Sequence, residues 1–168
     1  KPKQIDRLVS TDLDEDDKPG IINSQDELSM AFSYRKISAD NRYQLYQVLV
    51  MDTAFSVRYR KQIEIEASLN TYIPITFLLS NQASFFAMGI HYTNEKKAGN
   101  QSDAYYELHG YNPSTDQILH SVIKSDSKFL TDVGLSIDNF NKRVIAAGFY
   151  SDRTTYSVAG VFYNSFSE

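Results

Sequence analysis

The chain contains neither cysteine nor tryptophan. Without cysteine there are no disulfides, thiolate metal sites or thiol nucleophiles. Without tryptophan the case for a carbohydrate-stacking surface is weakened. No apolar run approaches the ~20 residues needed for a helical membrane span. Basic residues are not concentrated: Arg58, Arg60 and Lys61 form one local group and Lys96-Lys97 another, in a chain of net charge −4. A nucleic-acid-binding footprint needs a concentrated basic face, so that class is excluded. No signal-peptide pattern is present, and the chain starts at Lys1 rather than Met. We therefore expect a mature, processed or excised piece of a larger product. No Gly-x-Ser-x-Gly elbow, glycine-rich phosphate loop or sialidase-type aspartate box occurs, so nucleophilic and phosphoryl chemistry have no support.

What is present favours strands. Twelve Tyr and ten Phe stand in a chain of 168 residues that is 42% apolar. This is long enough for one well-buried core and too apolar for disorder. Aromatic residues of these two types suit a pleated surface. Period-two alternation marks Leu28 to Tyr34, Tyr43 to Met51 and Val57 to Glu66. Charges alternate with Ile63 and Ile65 in the last of these, as in a more exposed outer strand. The pattern begins again at Ile75 to Tyr92, Ala104 to Asn112 and Ile118 to Ile123. A third cycle reads Leu130 to Asp138, Arg143 to Tyr150 and Tyr156 to Tyr163, and stops one strand short. No segment reads as a convincing helix, although Ser125 to Val133 has room for a short helical turn.

The cycles can be placed in register. With Ala31, Gly89 and Gly148 superposed, Leu28, Phe86 and Ile145 align, as do Phe32, Ile90 and Phe149. Small residues at the anchor allow a neighbouring backbone or sheet to approach closely. A unit of this size with four short antiparallel strands matches one blade of a propeller. The turn-plus-strand segments Asn23 to Phe32, Ser80 to Met88 and Ser136 to Ala146 resemble those of TolB-like and WD40-like bacterial propellers. The closing runs Gly148 to Asp152 and Gly160 to Tyr163 resemble blades of envelope or secreted proteins. The chain departs from that pattern in lacking a Pro-Asp-Gly turn and a Trp-Asp pair.

The expected fold is all-β, with about three propeller-like blades of antiparallel strands at 21–66, 75–123 and 130–168. A polar N-terminal segment or linker, 1–20, precedes them. Closure of a propeller takes ~4–8 blades, so this chain would be part of a larger ring. A β-sandwich is the alternative. The resemblance implies a non-enzymatic binding or scaffold module of a bacterial envelope assembly, periplasmic, at the cell surface or secreted. Its partners would be an envelope protein or further blades, with a glycan as a further option. The alternative function is a fragment of a propeller enzyme acting on glycans or peptides, with catalytic residues outside this chain.

Few side chains invite chemistry. Asp12, Asp14 and Asp16 have the spacing that opens a calcium loop. The sixth position is Asp17 where a glycine is needed, and the twelfth is Asn23 where a bidentate Glu belongs. A solvated acidic loop is the expected role, and any calcium would be weakly held. His91, His109 and His120 fall at different strand positions in different cycles, so no convergent site and no metal is expected of them. Asp52, Asn112 and Asn164 align before turns and suit side-chain-to-backbone turn bonds. Tyr105, Tyr106 and Tyr111 are the candidates for a binding surface, with Tyr150 and Tyr163 beyond them.

Overall fold

A computed structural model describes residues 20–93, 104–124, 129–152 and 157–168. The described residues form eleven strands: β1 (Gly20–Asn23), β2 (Ser29–Ile37), β3 (Gln44–Asp52), β4 (Val57–Ile65), β5 (Tyr72–Leu79), β6 (Phe85–Tyr92), β7 (Ala104–Asn112), β8 (Gln117–Ile123), β9 (Phe129–Asp138), β10 (Arg143–Ser151) and β11 (Gly160–Ser167). They form three antiparallel meanders, β1-β2-β3-β4, β5-β6-β7-β8 and β9-β10-β11. The fold is all-β, and no helix occurs among the described residues. Phe129 to Val133 is strand, because these residues pair with β10. That removes most of the room for a helical turn after Ser125.

Boundaries moved for identifiable reasons. Gly20 already pairs with Ser33, so the first sheet begins inside the segment expected to be a linker. β5 starts at Tyr72, with Pro74 at a register shift where a missing N–H is tolerated. β11 starts at Gly160 opposite Tyr150 and runs on through Ser167. The last hairpin therefore sits further along the chain than the apolar run Tyr156 to Tyr163 suggested. Ile63 and Ile65 are fully buried, so edge strand β4 turns them inward together with Tyr59 and the half-buried Lys61, while Arg58, Arg60 and Glu64 stay exposed.

The middle sheet is covered on both sides. Strand alternation sends Phe85, Ala87 and Tyr111 to one face, where they meet Ala31, Tyr46, Val48, Val50, Ile63 and Ile65 of the first sheet. The other face carries Phe86, Met88 and Leu108 against Val133, Val144, Ala146 and Phe162 of the third. The outermost faces of the stack stay open. On the third sheet Phe149 pairs with Val161 and Ala147 with Tyr163, and Val161 is 71% exposed.

Comparable turns lead into β2, β6 and β10, with the left-handed residues Glu27, Ala83 and Lys142. Measured from these, Ala31 stands with Ala87 and Ala146, all fully buried. Gly89 stays matched to Gly148. The first cycle thus slips by one pleat period against the sequence register, which preserves the face and so escapes an alternation test. A Cβ on Gly148 would run into the Asp132 carbonyl beside the β9–β10 register shift.

These turns are also tied together. The Asp26 N–H donates to Asn81 Oδ1 at 3.1 Å, and the Asn81 N–H to Asn139 Oδ1 at 2.8 Å. Asn139 Nδ2 donates to Gln25 Oε1 at 2.9 Å, which closes the circuit through all three sheets.

Candidate functional site

The middle sheet gathers all three histidines of the sequence around one carboxylate. Glu107 and His109 lie two residues apart on β7 and so share a face. His120 on β8 is the register partner of His109. His91 on β6 is the register partner of Tyr105. The same face carries Phe85, Ala87 and Tyr111 and packs on the first sheet.

Glu107 is 5% exposed and His109 is buried with it. His91 Nδ1 lies 3.0 Å from Glu107 Oε2, and His109 Nε2 lies 3.2 Å from the same oxygen. His120 Nε2 is 3.3 Å from Glu107 Oε1. An ionised carboxylate only accepts, so each of these nitrogens carries the donated proton. Burial alone would push the Glu107 carboxyl up. Hydrogen bonds from His109 and His91, with the charge on both rings, overcome it and hold the group well below the usual carboxylate range.

The rings are packed as tightly as the polar atoms. His109 and His120 stack with centroids 4.6 Å apart and planes 9° apart. His91 stacks on Tyr105 at 5.1 Å. Tyr72 of β5 presents its edge to His91 and to His109, at 6.3 and 5.7 Å. It fits there because Gly89, opposite Glu107 on β6, has no side chain. A Cβ at Gly89 would sit 2.6 Å from Tyr72 Oη and 2.6 Å from the Ile73 carbonyl. Tyr72 is 0% exposed, and its hydroxyl has no hydrogen-bond partner among the described residues. Burial pushes that hydroxyl's pKa up, and the nearby Tyr46 and Glu107 add to the effect. Gln44 fixes the neighbouring backbone by donating to the Tyr72 carbonyl at 2.9 Å.

The expectation that the histidines would not converge is therefore overturned. Different positions along successive strands become neighbours once the strands pair side by side. The group Glu107, His109 and His120 has one ligand atom from each residue, all within 4.8 Å of one another.

Other candidates are dispersed. Asp12, Asp14 and Asp16 lie outside the described residues. Tyr105, Tyr106 and Tyr111 do not form one surface. Tyr105 and Tyr111 face the first sheet, and Tyr106 faces the third. Tyr106 and Tyr111 are buried as packing residues, with Tyr111 edge-on to Tyr59 at 5.1 Å. Lys61 lies 4.3 Å above the Tyr111 ring and pairs with Asp116 at 2.9 Å. Tyr163 is exposed on the open face of the third sheet, and Tyr150 packs partly buried near Gly160.

Asp52 and Asn112 make the expected turn bonds, to the N–H groups of Ala54, Ser56 and Ser114. Asn164 does not. It lies within β11 and accepts instead from the Lys124 N–H of the neighbouring sheet at 3.1 Å. No protein-family model matches the chain, and no curated protein matches it.

Proposed function

We propose that this chain is a non-enzymatic binding or scaffold module whose partner covers the open face of its third sheet. Propeller-like blades in a bacterial envelope or secreted assembly are the setting we infer from the TolB-like and WD40-like turn segments. The observation that carries the reading is the contrast between covered and uncovered sheet faces. Both faces of the middle sheet are packed, while Phe149, Val161 and Tyr163 stand exposed on a sheet with three described strands, beside neighbours with four. Single exposed apolar residues need no explanation, but a register-matched group on one sheet face marks an interaction surface. The first sheet offers a second, milder face, where Phe32 pairs with Leu49 and both are half-buried.

The occupant is either a further sheet of the same polypeptide or a separate protein. The test is the mass of the native polypeptide together with photo-crosslinking from Val161 and Tyr163. A product larger than 19.2 kDa, crosslinked internally, supports covalently linked blades. A 19.2 kDa product crosslinked to one stoichiometric protein supports a separate partner. A lone 19.2 kDa chain with no crosslink at either position overturns the proposal.

A further inference from the structure

We propose that Glu107, His109 and His120 bind a divalent transition-metal ion of the zinc type, with His91 as the positioning residue for the carboxylate. This stands apart from the open sheet face and does not depend on what covers that face.

Three observations carry it. The first is the donor set. Two imidazole nitrogens and one carboxylate oxygen suit zinc and its neighbours, and the oxygen-rich requirement of calcium is not met. The second is spacing. Zinc at ~2.0–2.1 Å from its ligands holds tetrahedral ligand atoms about 3.3 Å apart. His109 Nε2 lies 3.2 Å from Glu107 Oε2 and His120 Nε2 3.3 Å from Oε1, and one ligand atom from each of the three residues lies within 4.8 Å of the other two, so a small closure reaches that spacing. The metal would replace the protons shared there, so the hydrogen-bonded cluster is the proton-loaded form of the same site.

The third observation is independent of the cluster. Tyr72 is fully buried, lies edge-on to His91 and His109, and has a hydroxyl with no partner among the described residues. A buried hydroxyl without a partner is costly, and native structures rarely leave one. A bound ion would bring a water as a further ligand, which would offer this hydroxyl a partner.

A buried carboxylate needs one cationic neighbour. Here three imidazoles converge on it, two of them stacked face to face. Hydrogen bonding alone does not call for that number. His91 plays the outer role that a second residue commonly takes at metal sites, fixing the orientation of a ligating carboxylate. Binding requires His109 and His120 to splay out of their stack. The His120 side chain is 55% exposed at the edge strand and free to make that movement.

The test uses the full chain, stripped with chelator. Zn²⁺ alone is titrated by calorimetry at neutral pH and at about pH 5, where protons compete for the imidazoles. Co²⁺ is titrated by visible absorption. The expected result is one equivalent bound, weaker in acid, with the absorption of a four-coordinate nitrogen and oxygen site.

Glu107→Gln lies in the core and can unfold the chain, so the decisive variant is His120→Asn at the exposed edge. It should still unfold cooperatively without metal, somewhat below the parent for the lost Glu107 hydrogen bond and His109 stack, and bind Zn²⁺ more than about 100-fold more weakly, beyond the range of outer-shell partners. His91→Asn should fall within that range, at about 10–100-fold. Absence of saturable binding overturns the proposal. So does binding that survives His120→Asn, or binding abolished when Asp12, Asp14 and Asp16 are all changed to Asn.

Discussion

Strand β7 presents two unlike faces from adjacent residues. Tyr105, Glu107, His109 and Tyr111 point toward the first sheet, while Tyr106, Leu108 and Gly110 point toward the third. The second face joins Phe86, Met88, Ile123, Val144 and Phe162 in an apolar layer. Its contribution scales with area removed from water and does not depend on direction. The first face buries a carboxylate, and its stability depends on where each hydrogen-bond donor sits. The apolar layer accepts exchanges between apolar side chains that conserve volume; the polar layer also requires each donor to stay in place. A strand buried on both sides can thus hold a site on one face and anchor it from the other.

The largest expected effect breaks the apolar side. Leu108→Ala leaves a cavity between the middle and third sheets and should lower stability by about 2–5 kcal/mol. Chemical denaturation reads this directly. Metal-independent loss at this position with the His–Glu face unchanged would show that the two faces are separable.

Gly89→Ala comes next. The new methyl meets the Tyr72 ring and the Ile73 carbonyl, and the backbone contact cannot yield cheaply. Overpacking of this kind costs about 1–3 kcal/mol. A neutral result would mean that the Tyr72 ring is not wedged where the structure places it.

Acid sharpens the polar side. The folded-state pKa of Glu107 is lowered from its ordinary 4.5 by His109 and His91 against the opposing effect of burial. Its contribution is complete above that ordinary value and is lost as pH falls toward the folded-state pKa. Asp26, Asp40, Asp116 and Asp138 are lowered as well, so the difference between two proteins is the useful quantity. Glu107→Gln should show a shallower loss of stability below about pH 4.5 than the parent, whichever has the higher plateau. Parallel curves would show that Glu107 is not held by the histidines.

The smallest effect concerns the turns. Asn81→Ala removes the acceptor for the Asp26 N–H while leaving its own N–H bonded to Asn139. The loss should be about 0.5–1.5 kcal/mol, and Leu108→Ala should add to it without coupling.

Much of the strand order was legible because alternation and turn residues are local signals. Asp52, Asn112 and the run of Asn and Asp before β10 mark where chains reverse. The site was less legible, and one part of it was available. Counting three residues outward on each side from the Asn112–Gln117 pairing places His109 opposite His120. Glu107 follows on the same face by period two. Comparison between cycles hides this convergence, because the histidines share no position from one cycle to the next. His91 was beyond this kind of count, because the long connection from Thr93 to Asp103 does not fix the register of β6 against β7. Tyr72 was missed because Pro74 breaks the run before Ile75, and only the paired sheet shows that the strand starts earlier.

The circuit through Gln25, Asp26, Asn81 and Asn139 has a consequence for how the chain reaches this state. Its links join positions 55, 58 and 114 residues apart. Contacts so distant in sequence carry a large loop-closure entropy and form after the local hairpins that bring them near. The meanders should therefore complete their ladders first. Protection of the Asn81 amide in pulsed hydrogen exchange should then appear last, as a marker that three separately formed sheets have docked.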